Sequence, residues 1–402
     1  MNNRRVLIKA GMDSRVTLLV GWALGALTNI FPIYSVIVFS ITAFVVFAYV
    51  YKDKRKEQIE LKISNEEVMR LALPDSDTQR AASKTALNLL VSDKVAEIVW
   101  HPNLNAAVSP ENVGWDPSDI EVEPVDLEFD CSILVQAAGG LVEVEPPNNK
   151  KYSLVNMPFV SAESEHIKLK LRNTDYQTVE TIKRWTELKP TVLEQLGHIN
   201  PQLNRLPSSL CLHYTVRLGD GRILLMKRVD GVGYHPSKWS ATGEEQLSES
   251  DLNNAEPIKN LFLRALGEEV LHLGNIDEFR ENITCIEKHI QYMRVYSIGV
   301  EYPLYNPALF GFAQLTDTTE ELRQRLIQRK YGITNLGHED PEGVFYTVSL
   351  EEAYTLLSQG SVDAVSLFGS KKQRVYSKKL HPSTRYRLFR LIRTLKRQKL
   401  LG

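Results

Sequence analysis

From Val16 to Tyr51 the chain runs 36 residues without one charged side chain. A single helix of that length would extend roughly 54 Å at about 1.5 Å per residue, against a hydrocarbon layer of about 30 Å. Two shorter arms, residues 16–31 and 33–51, fit better, reversing near Asn29 and Pro32, residue types that break apolar helices. Arg4, Arg5, Lys9 and Arg15 precede the first arm, Lys52, Lys54, Arg55 and Lys56 follow the second, and the reversal is uncharged. The positive-inside rule then predicts a two-span membrane hairpin over residues 1–56 with both ends cytoplasmic. Trp22, Tyr34, Tyr49 and Tyr51 would sit at the interfaces. A cleaved signal peptide would account for the first arm but not the second. Gly21 and Gly25 have the spacing that lets two membrane helices approach closely.

Residues 57–200 read as a mixed α and β region. The charged stretch from Lys52 to about Leu73 predicts a helical stalk. Ala82, Ala86, Leu87, Leu90 and Val95 recur at helical spacing and predict a helix over Thr78–Ile98. Val125, Leu127, Phe129 and Cys131 alternate with Asp126, Glu128 and Asp130, which predicts a strand with one acidic face, solvated or cation-binding. Pro146 to Asn149 reads as a turn, and Thr174 to Ile199 as a helix interrupted at Pro190.

The pattern sharpens in residues 201–369. Leu210–Leu218 is strand-like, Gly219-Asp220-Gly221 is a hairpin turn signal, and Ile223–Arg228 is a second strand. From Pro257 to Leu273, Ile258, Phe262, Leu266, Val270 and Leu273 form one apolar helical stripe, with Arg264, Glu268 and Glu269 off its centre. Residues 370–402 close the chain with an amphipathic helix over Pro382–Leu400. Leu388, Leu391, Ile392 and Leu395 line one side of it, and six Lys or Arg residues crowd the rest.

Charge divides the chain further than its total suggests. Lys plus Arg is 48 and Asp plus Glu is 49, a net charge of −1. The last 33 residues hold twelve Lys or Arg and no acid, so the remainder nets −1 − 12 = −13. A chain so balanced is no strongly basic nucleic-acid binder, and no DNA partner is expected. The basic helix has three readings: packed on the acidic body, lying on anionic lipid, or meeting nucleotide phosphates. Cys131, Cys211 and Cys285 are far apart, which excludes a disulfide scaffold and fits a reducing compartment. His198, His213, His235 and His272 show no metal-ligand spacing.

The order of strand, turn, Leu224-Leu225-Met226-Lys227-Arg228, a loop carrying Trp239, Gly243 followed by Glu249, and Arg264-Ala265-Leu266-Gly267-Glu268-Glu269 resembles the Nudix family. Residues 343–353 look like the strand-to-helix ending of such domains. The resemblance implies an α/β/α domain with a mixed sheet, so the whole chain is expected to be α+β. It also implies that Glu268, Glu269 and the Gly243 turn hold Mg²⁺, with the two glutamates catalytic if the domain is a hydrolase. Adjacent carboxylates suit Mg²⁺, and the ion would neutralise a diphosphate and activate water. Lys227, Arg228, Tyr234, Trp239 and Arg264 are the candidate nucleotide-binding residues. Lys227 and Arg228 read equally as strand-end charges, and Trp239 equally as core. Three departures stand out. Ala265 replaces a family glutamate, 14 residues rather than seven separate Glu249 from Arg264, and Leu271 stands where a glycine is expected.

A two-span hairpin followed by a Nudix-like domain resembles the transmembrane Nudix-type effectors of CBASS, the bacterial antiphage systems that signal with cyclic oligonucleotides. That resemblance implies an inner-membrane protein linked in function to a CD-NTase-type nucleotidyltransferase. Its domain would sense a cyclic nucleotide, self-associate and disrupt the bilayer. The alternative is a membrane-tethered hydrolase of a nucleoside diphosphate derivative. A sensor with no turnover needs no resident Mg²⁺.

Overall fold

The computed structural model describes residues 95–105, 108–127, 140–144, 148–155, 158, 166–188, 207–230, 237–271, 283–301, 306–332, 343–381 and 383–399. The expected hairpin, stalk and Pro190 lie outside them. Among the described residues no helix is long and apolar enough to cross a membrane.

The protein is mixed α/β with mixed sheets. The small sheet has three strands, β2 (Ile120–Pro124), β3 (Lys150–Leu154) and β4 (Ile167–Asp175), in the order β2-β4-β3. β2 runs parallel to β4, and β3 antiparallel to it. Helix α1 (Tyr176–Leu188) follows directly, with the Asp175 carboxylate accepting from the Thr178 amide at 2.8 Å. The large sheet contains β1 (Val95–Trp100), β5 (Cys211–Arg217), β6 (Ile223–Arg228), β7 (Trp239–Ser240), β8 (Gly243–Gln246), β9 (Ile290–Glu301), β10 (Asn306–Leu315), β11 (Gly343–Val348), β12 (Ser361–Ser366) and β13 (Lys372–Tyr376). Its main order is β1-β9-β10-β5-β6-β11-β12-β13. Only the β5–β10 pair among these is parallel.

Several expectations hold. β5, the turn at Gly221 (φ +84°) and β6 match the predicted hairpin. Helix α3 (Pro257–Ala265) starts at the expected proline, and Ile258, Phe262, Leu266 and Val270 of the expected stripe are buried, while Leu273 lies outside the described residues. Helix α4 (Thr319–Gly332) follows β10, and β11 leads into α5 (Leu350–Gln359) through a Ser349 capping box.

Others need correction. Val95–Ile98, read as a helix end, belongs to strand β1, as its β-branched and aromatic run Val-Ala-Glu-Ile-Val-Trp favours. The acidic-faced strand is displaced: β2 ends at Pro124, Val125 to Leu127 follow outside any strand, and residues 128–139 lie outside the description. Described residues on both sides of residue 200 share contacts: β1 pairs with β9, the Leu210 amide donates to the Tyr152 carbonyl at 2.8 Å, and Trp115 bridges to Val295. Of the three readings of the basic helix, the structure shows the packed one. β13 pairs with β12, and α6 (Thr384–Lys399) buries Leu388, Phe389, Leu391, Ile392 and Leu395 in the core.

The large sheet forks. β5 pairs with β6 only at Val216 and Arg217, then diverges. Into the gap fit β7, paired to β6, and β8, paired to β5. The corner between them is Thr242, at φ +72°. Its hydroxyl donates to the Leu224 carbonyl at 2.7 Å and accepts from the Val216 amide at 2.9 Å, so one side chain satisfies both branches at the point where they part. Because successive strand residues face opposite ways, β8 sends Gly243 and Glu245 toward α3 and Glu244 toward α6.

Candidate functional site

On the α3 side, the helix continues past Ala265 as one π-helical turn, Leu266–Val270, with the Leu271 amide donating to the Leu266 carbonyl at 2.9 Å. Such turns recur at functional sites. This one carries Glu268 and Glu269. Glu269 Oε2 accepts from the Tyr214 hydroxyl at 2.6 Å. Glu268 Oε2 accepts from Arg264 Nη1 at 3.2 Å, and the same nitrogen lies 3.1 Å from Glu245. Glu268 Oε1 is buried and has no hydrogen-bond partner among the described residues. Burial pushes the Glu268 carboxyl up and Glu245 adds to this, while Arg264 opposes it.

Gly243 is a point of close approach. A Cβ there would collide with the Glu269 carboxylate and the Tyr214 hydroxyl. Ala265, where the family pattern has a carboxylate, is fully buried, and its carbonyl accepts from the Tyr214 hydroxyl at 3.1 Å. The lengthened segment before α3 folds as a short turn, α2 (Glu249–Leu252), capped by Ser248. It delivers Asp251, which is 0% exposed and takes a bidentate bond from Arg264 at 3.0 and 2.9 Å. Arg264 also donates to the Gln246 carbonyl at 2.8 Å. Burial alone would pull its guanidinium down, but Asp251, Glu245 and Glu268 raise it. Arg264 is therefore held by protein groups on every side. Glu245, Glu268 and Glu269 carry carboxylate oxygens of the kind Mg²⁺ takes, but among the described residues only His213, Glu244 and His381 bring their ligand atoms within 4.8 Å of one another.

On the α6 side a second polar cluster fills the fork. Arg387 is 1% exposed. It donates to the carbonyls of Tyr214, Ala241 and Gly243 at 2.9, 2.9 and 3.1 Å, and to Glu244 Oε1 at 2.9 Å. Arg228 Nη1 donates to Glu244 Oε2 at 3.2 Å. His381 Nε2 lies 3.1 Å from the same oxygen, His381 Nδ1 lies 3.4 Å from Glu301, and His213 Nε2 lies 3.5 Å from Glu301. Ser383 meets His213 Nδ1 at 2.8 Å. Burial would push the Glu244 carboxyl up; His381, His213, Arg228 and Arg387 outweigh it and hold the group well below the ordinary carboxylate range. His213, Glu244 and His381 each place a ligand atom within 4.8 Å of the others, a donor set with metal character. The electrostatics run against a divalent ion there. Two guanidiniums already bind Glu244, and with Glu301 the charges balance without one.

Of the expected nucleotide contacts among the described residues, only Arg264 bonds Glu268. Arg228 is engaged on the opposite side by Glu244. Trp239 is 2% exposed and packs edge-on against Tyr346 at 5.0 Å, which places its ring in the core. Lys227 is half-buried on β6, paired across to Trp239. Tyr234 lies outside the described residues. Asp251, Glu301 and His381 went unread in the sequence, and Arg387 was read only as one of six basic residues on the last helix. The contacts from Asp251 to Arg264 and from Arg387 to Tyr214 span 13 and 173 residues, beyond any spacing rule, and only Asp251 had a signal, its place in the lengthened segment.

Neither a comparison with protein-family models nor one with curated proteins returned a match for the chain.

Proposed function

We propose that this protein is the membrane effector of a CBASS-type antiphage system. Its Nudix-like domain binds a cyclic nucleotide made by a CD-NTase-type nucleotidyltransferase. Binding drives self-association, and the hairpin at residues 1–56 disrupts the inner membrane. The observation that carries this reading is the state of the acidic cluster beside α3. It keeps the frame of a diphosphate site in Gly243, Arg264, Glu268 and Glu269, while Ala265 stands buried where the family pattern has a carboxylate. A carboxylate missing from a metal cluster costs rate more than it costs binding. Retained binding without turnover suits a sensor, whose signal must survive its own recognition.

When bound, Mg²⁺ would supply positive charge beside the phosphates, and Glu245, Glu268 and Glu269 would hold it. Tyr214 would fix the orientation of Glu269, and Arg264 that of Glu268. Ligand must favour the assembled over the resting state, because equal affinity for both shifts nothing. Assembly would then raise the local concentration of hairpins.

The rival reading, a hydrolase of a nucleoside diphosphate derivative, draws on the same three oxygen donors. One experiment separates the two. The full chain in detergent with Mg²⁺ is melted against cyclic di- and trinucleotides and linear nucleoside diphosphate derivatives. A ligand that binds only the folded protein raises the melting point by mass action. A selective rise with one cyclic species, recovered intact and accompanied by a larger particle mass, is expected. A rise with a linear diphosphate that is then consumed would replace the sensor by the hydrolase.

A further inference from the structure

The basic residues beyond residue 369 fall into two settings. On α6, Arg387, Arg390 and Arg393 are buried. On β13 and its flanks, Lys371, Lys372, Arg374, Lys378 and Lys379 are exposed, and no acid occurs among residues 371–379. β13 ends the main order of the large sheet, so it is an edge strand among the described residues. Its side chains alternate. Val375 is buried and Gln373 accepts from the Tyr346 hydroxyl at 2.6 Å, while Lys372, Arg374 and Tyr376 point the other way, into solvent. Arg374 is tied to Asp363 and Ser361 of β12 at 3.0 and 2.8 Å. The four lysines make no ion pair among the described residues. Two large rings flank them: Phe368, in the connection from β12 to β13, is 37% exposed, and Tyr376 is 44% exposed. The surface therefore sets five cations against one carboxylate, Asp363, with an aromatic ring at either end.

We propose that β13 and its flanks form a contact surface for an anionic lipid leaflet, the lysines meeting headgroup phosphates and Phe368 and Tyr376 resting at headgroup depth. Anionic headgroups attract exposed Lys and Arg, and aromatic side chains favour the boundary between headgroups and acyl chains. Cations beside rings also suit single-stranded nucleic acid. The same chain, however, carries the uncharged run Val16–Tyr51 with Lys and Arg on both flanks, which favours lipid. The inference rests on the reading of that run as membrane-spanning and adds a second, peripheral contact. It also moves the lipid contact away from α6. Leu388, Leu391, Ile392 and Leu395, the side of that helix that would have to enter a bilayer, are buried in the core. The exposed charge lies on β13 instead.

The test uses the full chain in nanodiscs of phosphatidylcholine alone or of phosphatidylcholine mixed with phosphatidylglycerol. Amine acetylation is followed lysine by lysine by mass spectrometry, with Lys168, exposed on β4, as the internal control. Lys371, Lys372, Lys378 and Lys379 should react about fivefold more slowly in the anionic discs, the factor that corresponds to the attraction of one cation to an anionic surface. Lys168 should react alike in both discs, and added salt should remove the protection. Equal rates for the four lysines in the two discs would overturn the contact and leave the membrane-spanning reading standing. A chain that enters neither disc would overturn that reading, and the contact with it. Protection by a single-stranded oligonucleotide but not by anionic lipid would reassign the surface to nucleic acid.

Discussion

Strand β8 divides two polar clusters built from the same kinds of residue and opposite in what they leave undone. Toward α6, Glu244 and Glu301 face Arg228 and Arg387, two carboxylates against two guanidiniums, with His213 and His381 wedged between. Toward α3, the described groups joined through Arg264 and Tyr214 are Glu245, Asp251, Glu268 and Glu269, four carboxylates against one guanidinium. A buried charge is tolerable when paired and costly when not. The balanced cluster needs nothing more and reads as a lock on the fork. The unbalanced one lacks positive charge and reads as a place for a cation and the anion it carries. The two meet at one residue pair, Tyr214 opposite Gly243, whose carbonyls bind Arg387 and whose other face holds Glu269.

The comparison breaks most readily at Arg387. Its replacement by Met strips the carbonyls of Tyr214, Ala241 and Gly243 of a donor and leaves Glu244 short of a buried partner. A loss of about 3–5 kcal/mol is expected in urea unfolding. A variant as stable as the wild type would show that α6 is not what closes the fork. A smaller and sharper test is acid. Glu244 is depressed in the folded state, so its stabilisation is present above the ordinary carboxylate range and lost as pH falls toward the folded value. Glu268 is raised, so its share is present below the ordinary range and lost as pH rises through the folded value. In melting curves across pH, Glu244→Gln should flatten the acid limb. Glu268→Gln should flatten the opposite slope. Identical profiles would erase the distinction between the two sides. Smallest in stability is the pair Glu268→Gln and Glu269→Gln, expected within about 1 kcal/mol of wild type because no buried guanidinium loses its main partner. Calorimetric titration should nevertheless find Mn²⁺ binding abolished.

Legibility in the sequence followed range. The β5 turn, β6, α3 and the β11-to-α5 junction announced themselves through alternation, a Gly-Asp-Gly turn and a 3.6-residue stripe, all local signals. The α3-side cluster was half legible, since Glu268, Glu269, Gly243 and Arg264 fall in a recognisable order. Asp251 was not, because a lengthened loop gives no indication of which of its residues turns inward. The α6-side cluster was wholly illegible. His213 and Ser383 meet across 170 residues, and twelve basic residues in a tail look like a solvated surface until three of them, Arg387, Arg390 and Arg393, prove buried. Strand β1 was misread because the alanine and leucine spacing before it is helical and the strand itself lies at the edge, where pattern is weakest.

Arg387 also sets an order on how the chain acquires its shape. The carbonyls it satisfies on Tyr214, Ala241 and Gly243 precede it by 173, 146 and 144 residues. At about 5–20 residues per second, a ribosome delivers α6 roughly 10–30 s after the fork strands have emerged. Until then the carbonyls of Tyr214, Ala241 and Gly243 lack this donor, and Arg228 is the one guanidinium of its two available to Glu244. Closure of the fork is thus timed to the synthesis of α6, and truncations before Thr384 should yield a chain that chaperones retain rather than a domain merely lacking one helix.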